Sequence, residues 1–130
     1  MVRHAPDLIF DKAGQLERVE AFCLPEETIR AVFNLKGGDA DFIAILDKRV
    51  LFYGQVFTHS KKAMVTIPYR RIHALSSADE SGLPLKRGPF ASSKLTLHAG
   101  GDSFEFEFHG RERAAQAYRL IMEHWLEDLH

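Results

Sequence analysis

Cysteine is almost absent from this chain, and its scarcity limits both covalent structure and chemistry. Cys23 is the only cysteine among 130 residues, so the chain cannot form an internal disulfide or a thiolate-based zinc site. Such usage is typical of proteins kept in a reducing compartment. We therefore expect a cytoplasmic protein without a disulfide framework.

Long apolar runs are also missing. The segment from Met1 to Gly14 is interrupted by charges and lacks the apolar core of a signal peptide, and no stretch approaches transmembrane length. A chain of this length fits one domain with a single hydrophobic core. We expect a soluble protein of that kind.

Motifs for catalysis or ligand capture are absent as well. The seven histidines are scattered, without the spacing of a metal site. Glu105 and Glu107 fall on the outer face of one predicted strand, where an exposed carboxylate has no pocket that suits it to acid–base chemistry. Gly37-Gly38 and Gly100-Gly101 precede no helix, so they indicate hairpin turns instead of phosphate loops. We predict a non-enzymatic protein with no catalytic residue, metal or cofactor.

The charges are unevenly distributed behind a formal net charge of −1. Residues 1–47 carry five basic and nine acidic side chains, residues 48–98 carry nine and two, and residues 99–130 carry three and seven. The three blocks are therefore −4, +7 and −4. The near-neutral total argues against a nucleic-acid-binding protein, whereas the basic middle block leaves an anionic partner open.

Glycine and proline recur about every ten residues, which favours an all-β sandwich or barrel. Alternating apolar and polar residues predict a first strand from Ile29 to Lys36. Four more strands follow, at 42–46, 49–57, 63–67 and about 72–78, and residues 79–90 should form a loop. The second and third strands are apolar on both faces, so their outer side must be covered.

The last two strands form a hairpin whose register the sequence specifies. If Gly100-Gly101 is the turn, the phenylalanines of the second strand share one face with the leucines of the first, and the glutamates share the other face with lysine and threonine. A slip by one residue would bury the glutamates. The predicted pairs are Ser93–Phe108, Lys94–Glu107, Leu95–Phe106, Thr96–Glu105 and Leu97–Phe104.

Two helices are predicted. An opening helix follows Pro6-Asp7, because Leu8, Ile9, Leu16, Val19 and Phe22 fall roughly on one stripe. After Gly110, apolar residues at steps of three and four predict an amphipathic helix in which Trp125 fills the open mouth of the barrel. We accordingly divide the chain into an N-terminal helical extension, residues 1–23, and a barrel domain, residues 24–130.

Seven strands followed by one amphipathic helix with a tryptophan on its buried face resemble the pleckstrin-homology arrangement. From about Glu26 to Leu126 the chain is similar to bacterial pleckstrin-homology-like (PH-like) domains in the order and spacing of four segments. These are Ala31-Val-Phe-Asn-Leu-Lys-Gly-Gly, Asp47-Lys-Arg-Val-Leu-Phe-Tyr, Met64-Val-Thr-Ile-Pro-Tyr-Arg-Arg-Ile-His and Ser92-Ser-Lys-Leu-Thr-Leu.

The resemblance implies a mostly β fold: a seven-strand, partly open antiparallel barrel capped by the C-terminal amphipathic helix, with an additional N-terminal helix. It also implies a scaffold without catalytic apparatus. Relatives bind phosphoinositides, peptides or protein surfaces, and bacterial members tend to self-associate. The main functional hypothesis is therefore an interaction module that self-associates or binds a protein partner.

Binding of anionic lipid headgroups through the basic 48–98 block is the alternative. Lipid-binding relatives share a first hairpin rich in cations, whereas the corresponding stretch here, Lys36-Gly-Gly-Asp-Ala-Asp-Phe, has one cation and two carboxylates. Alternate turns of a meander lie at opposite ends, so the remaining basic pairs should be spread out. The candidate anion-binding residues are Lys36, Lys61, Lys62, Arg70 and Arg71.

The outer face of the second and third strands supplies the candidate interface: Phe42, Ala44, Leu51 and Tyr53. This patch is too contiguous to leave in water. The first helix, the last helix or a second copy of the chain could cover it. Because the last helix already caps the barrel, the choice lies between the first helix and a second copy. The unlike charges of the three blocks favour contact between copies, so we expect a homo-oligomer, cyclic if the rotation closes.

Overall fold

A computed structural model of the protein describes residues 2–38, 40–55, 61–77 and 93–128. Within these ranges the chain forms eight strands, two α-helices and one 3₁₀ turn, Tyr69–Arg71. The strands are β1 (Arg3–Phe10), β2 (Thr28–Gly38), β3 (Ala40–Leu46), β4 (Arg49–Gln55), β5 (Lys62–Pro68), β6 (Ile72–Ser77), β7 (Lys94–Ala99) and β8 (Asp102–Phe108). The helices are α1 (Ala13–Phe22) and α2 (Arg111–Asp128).

Seven of the strands follow one path, β5-β4-β3-β2-β8-β7-β6, in which each neighbouring pair is antiparallel. β2 belongs to both halves, since Ile29–Asn34 pairs with β3 and Leu35–Gly38 pairs with β8. Among the described residues, β5 and β6 end the path without pairing with each other. The predicted fold class, a partly open antiparallel barrel with a C-terminal helix, is confirmed.

The N-terminal segment corrects the predicted opening helix. Residues 3–10 form strand β1, so Leu8 and Ile9 belong to a strand, and the helix begins only at Ala13. β1 runs parallel to β2, with Arg3 beside Thr28 and Phe10 beside Val32. Parallel neighbours need a long crossover, which α1 supplies. Pairing with the open side of β2 therefore outweighs the weak helical periodicity of residues 8 and 9.

The other strand boundaries are close to those predicted. β4 ends at Gln55, and residues 56 and 57 of the predicted strand lie outside the described residues, as does the predicted loop at 79–90. β3 and β5 are each longer than expected, beginning at Ala40 and Lys62.

The last hairpin has the predicted register. Leu97 faces Phe104, Leu95 faces Phe106, and the outer pairs Lys94–Glu107 and Thr96–Glu105 also form. The Phe108 N–H donates to the Ser93 carbonyl at 2.8 Å. Gly100 has a φ of +62°, a conformation that favours glycine, which explains the turn at this position.

Two hydrophobic cores lie on opposite faces of the β2–β4 region. The inner core is enclosed by the curved sheet and closed by Ala114, Ala117, Leu120 and Ile121 of α2. The outer core lies between the sheet and α1 and includes Leu16 and Val19. Trp125 is only partly buried and packs at the margin of the inner core. The fully buried side chains of α2 lie in its first three turns instead.

A buried ion pair ties the end of α1 to the barrel. The Arg49 guanidinium donates to both carboxylate oxygens of Glu27, at 2.9 and 2.8 Å. It also donates to the Phe22 carbonyl and to the Thr66 hydroxyl, at 2.7 and 2.8 Å. Glu27 is buried and Arg49 is half-buried, a setting in which such a pair depends on complete hydrogen bonding.

The pair also sets the ionisation of its surroundings. Burial alone would raise the pKa of Glu27, but hydrogen bonds from Arg49 and from the Leu24 N–H outweigh it and hold this pKa below the ordinary 4.5. Burial, with a contribution from Glu27, raises the pKa of the Cys23 thiol to about 11. The thiol is therefore protonated at neutral pH and behaves as a small apolar group.

Phe106→Ala should lower the free energy of unfolding by about 3–5 kcal/mol, because the buried ring leaves a cavity in the inner core. Glu105→Ala, the adjacent outward-facing position, is the matched control and should cost at most about 1 kcal/mol. Urea unfolding monitored by circular dichroism measures both. Equal losses for the two variants would contradict the register of the hairpin.

Arg49→Met should cost about 3 kcal/mol or more, since it leaves the Glu27 carboxylate buried without its cation. Adding Glu27→Gln to Arg49→Met should recover part of the lost stability, because it removes the uncompensated charge.

The stabilisation from ionised Glu27 is present above the ordinary pKa of a glutamate and disappears as the pH falls through the lowered pKa. A double-mutant cycle by urea unfolding at neutral pH tests this coupling, and strictly additive losses would contradict it.

Candidate interaction surface

The predicted interface patch lies beneath the chain's own N-terminal helix. Phe42, Ala44 and Leu51 are buried in the outer core against Leu16 and Val19 of α1. This corrects the expectation that a second copy covers the patch. Of the three possible covers, the structure shows the first helix. The described part of this segment, residues 2–23, accordingly packs on the barrel instead of extending from it.

Arg18 completes this cover over the rings at the edge of the patch. Its guanidinium carbon lies 4.1 Å from the centroid of Tyr53 and 5.5 Å from that of Phe42. These two rings are stacked with their centroids 5.7 Å apart. A cation over stacked aromatic faces is favourable, so the helix is held by electrostatics as well as by apolar burial.

The five candidate anion-binding residues are all exposed, and they form two groups. Lys36 lies on β2, Lys62 is the first residue of β5, and Lys61 directly precedes that strand. Arg70 and Arg71 lie in the 3₁₀ turn beyond the other end of β5. A seven-residue strand spans roughly 20 Å, so these cations do not converge on one anion.

The first group is also partly neutralised. The Lys62 ammonium donates to Asp41 at 2.7 Å. Hydrogen bonding and the charge of that carboxylate raise the pKa of Lys62. Lys36 and Asp41 line the same shallow depression, together with Asn34 and His109. The Asn34 amide lies 3.0 Å from His109 Nε2. This end therefore presents mixed charge to a ligand.

The outer face of α2 carries an apolar stripe that the sequence assigned to the buried side. Tyr118 and Met122 are half-buried, and Leu126 is 51% exposed. With Ala115 they line a groove of about 300 Å³, bordered by Arg119 and Glu123. The sequence does contain a signal for this stripe: nine of the residues in α2 are apolar, which is more than the single face that packs on a barrel requires.

Behind this stripe lies a buried polar contact between α2 and the barrel. The side chain of His124 is 8% exposed, and its ring stacks on Tyr69 at 5.5 Å. Arg30 donates to His124 Nε2 at 3.1 Å, and His124 Nδ1 faces Glu127 at 3.5 Å. Tyr69 donates to the Leu46 carbonyl at 2.6 Å, and burial raises its pKa. These contacts fix the helix on the barrel.

His124→Gln should reduce the loss of stability on acidification. Burial and the Arg30 charge lower the pKa of His124 below 6.5, so the neutral ring stabilises the fold above that pH. This contribution disappears as the pH falls through the lowered value. Urea unfolding at pH 7 and pH 5 should show a smaller difference for His124→Gln than for the original chain. His73→Gln, at an exposed histidine, is the control, and equal differences in all three proteins would contradict the assignment.

The described part of the chain contains no group of three side chains suited to hold a metal ion. No helix in it is long and apolar enough to cross a membrane.

Comparison with solved structures identifies the class of fold. The chain is similar to a pleckstrin homology domain from Shewanella amazonensis SB2B, with a TM-score of 0.61 and 16% identity over 89% of this chain and 99% of that one. It is also similar to a DUF1696 family protein with a pleckstrin-homology domain from Shewanella loihica PV-4, with a TM-score of 0.59 and 16% identity over 88% and 94%.

A third similar structure is the C-terminal domain of an unknown protein from Leishmania infantum, with a TM-score of 0.52 and 17% identity over 87% of this chain and 93% of that one. No protein-family model and no curated protein matches the chain. The chain therefore has the PH-like fold, as its resemblance to bacterial PH-like domains predicted.

Proposed function

We propose that this chain is a non-enzymatic interaction module that self-associates through the outer face of α2. The observation that carries the proposal is the stripe of Tyr118, Met122 and Leu126, which remains half-buried or exposed after the barrel has closed. Tyr118 also packs against the inner core. An apolar helix face that stays accessible after folding is a surface typically used for contact between proteins. The buried contacts of His124 keep this face in a fixed orientation.

The charges beside the stripe favour a second copy of the same helix, packed antiparallel. A two-fold axis through Met122 places Tyr118 of one copy against Leu126 of the other. The same axis places the residues on one side of the stripe beside the residues on the same side of the stripe in the other copy. Arg119 and Glu123 lie on one flank, so Arg119 of each copy comes within reach of Glu123 of the other.

The expected association is weak. One helix face buries less area than a standard protein interface, so we expect a dimer that forms at about micromolar concentration or above. Arg119 is exposed and has no ion-pair partner among the described residues, whereas Glu123 also lies 3.4 Å from Arg30. Exposed pairs of this kind contribute orientation more than affinity.

A different protein could also bind the apolar stripe of α2. In that case the partner, instead of a second copy of this chain, would cover the same surface. Binding of anionic lipid headgroups through the basic 48–98 block finds less support, because its described candidate cations are divided between two ends of β5 and Lys62 is paired with Asp41.

Sedimentation at increasing concentration should show a rise from the 14.8 kDa monomer toward twice that mass. Leu126→Glu should abolish the rise, because it places a charge against the Tyr118 ring of the other copy while leaving the core unchanged. Glu112→Gln, at an exposed position in the first turn of α2, is the control and should still dimerise. A monomer at all concentrations would overturn the proposal, as would a dimer that Leu126→Glu leaves intact.

Charge exchange tests the antiparallel arrangement separately. Arg119→Glu should weaken the dimer by placing carboxylates against each other, and the double variant Arg119→Glu/Glu123→Arg should restore it. Failure of the double variant to recover any association, with its fold intact by circular dichroism, would contradict the two-fold geometry.

A further inference from the structure

A second concave surface lies where the end of α1 meets the 3₁₀ turn. Its volume is about 520 Å³, and its apolar lining includes Phe22, Leu24, Pro68 and Tyr69. Lys48 and Arg70 line the same groove. We call this surface the α1-end groove. It is distinct from the groove on α2 and shares no lining residue with it.

Two large apolar side chains in the α1-end groove are unusually exposed. Phe22 is 53% exposed and Leu24 is 63% exposed, although each belongs to a residue type that is usually buried. They are separated by a single residue, Cys23, and both line the same groove. Covering such surface releases free energy in proportion to the apolar area removed from water.

The α1-end groove carries a net positive charge, because its Glu27 and Arg49 neutralise each other. Glu27 is the single carboxylate among the lining residues, and Arg49 already binds both of its oxygens. Lys48 and Arg70 are exposed and form no ion pair within the part of the chain that the structure describes. A ligand that combines an apolar group with a carboxylate matches both features of the groove.

The walls of the groove are held in place before any ligand binds. Arg49 donates to the Phe22 carbonyl at 2.7 Å, and the Leu24 N–H donates to Glu27 at 2.8 Å. The Glu27 N–H in turn donates to the Leu24 carbonyl at 3.1 Å. The backbone on both sides of Cys23 is thus fixed by the buried ion pair. A preorganised wall lowers the entropic cost of binding.

We propose that the α1-end groove binds a segment of a partner protein in which a large apolar side chain lies next to an aspartate or glutamate. The groove is concave and only partly enclosed, which suits a chain lying across it with one side chain inserted. A membrane surface would instead require the apolar residues to protrude from a convex face. Self-association through α2 is not needed for this binding.

Selection from a library of random peptides against the purified full-length chain tests the proposal. The expected result is enrichment of peptides with Leu, Ile or Phe adjacent to Asp or Glu. A synthetic peptide of the enriched sequence should shift the amide resonances of Leu24, Lys48 and Arg70 in a heteronuclear NMR titration. Replacing its carboxylate with the amide should weaken binding about tenfold, equivalent to about 1.4 kcal/mol.

The chain offers a matched control for each side chain tested. Leu24→Ser and Arg70→Ala should each weaken the synthetic peptide about tenfold. Phe10→Ser removes an exposed ring outside the groove, and Arg71→Ala removes the neighbouring exposed cation, which does not line it; neither should change the affinity.

Three results would overturn the proposal: selected peptides without acidic enrichment, resonance shifts confined to other surfaces, or equal effects of Arg70→Ala and Arg71→Ala. Vesicles of phosphatidylcholine with phosphatidylserine test whether the groove binds a membrane instead. Sedimentation of the chain with these vesicles, abolished by Leu24→Ser and accompanied by no peptide binding, would assign the groove to membrane contact and overturn the proposal.

Discussion

Apolar side chains on both faces of β3 and β4 impose the constraint on which the rest of this structure depends. One face closes the barrel, with Ile43, Ile45, Val50 and Phe52 in the inner core, and the other face must be covered separately. The chain covers it with a β1–α1–β2 unit, in which α1 lies over the outer face and β1 pairs beside β2. The N-terminal segment therefore supplies one wall of the second core, and a division between residues 23 and 24 would cut through it.

The same arrangement explains why polar contacts are found at both ends of α1. A helix that crosses a sheet must be anchored at both ends. At its start, Asp11 accepts from the Asn34 N–H at 2.9 Å and forms an ion pair with Arg113 at 3.1 Å. At its far end the Glu27–Arg49 pair performs this role. Both anchors use side chains from different elements, so they form only when the whole fold is assembled.

Much of the fold could be predicted from the sequence because the period of the apolar residues was unambiguous. In β7 and β8 a single register satisfies both the phenylalanines and the glutamates, and the structure has that register. β1 could not be predicted this way. Its apolar residues Leu8 and Ile9 are adjacent, which fits neither period well, and the parallel pairing that defines β1 depends on a partner about twenty residues away in β2.

The surfaces were harder to predict than the fold. The sequence identified the outer patch on Phe42 and Leu51 as apolar, but the choice between α1 and a second copy depended on how α1 packs, which periodicity does not give. The α1-end groove combines residues from α1, β4 and the 3₁₀ turn, each unremarkable in its own segment. The exposed stripe on α2 was hidden for the opposite reason, because spacing in steps of three and four assigned Tyr118, Met122 and Leu126 to the buried face of the helix.

The parallel pairing of β1 also determines where the first residue of that strand lies. Arg3 lies beside Thr28, and its N–H donates to the Glu27 carbonyl at 2.9 Å. Arg3 is thereby held next to a residue that lines the α1-end groove. An affinity tag or fluorescent protein joined ahead of Arg3 would emerge beside the groove and compete with ligands for the space around it. The site of fusion is thus part of the design of any binding assay on this protein.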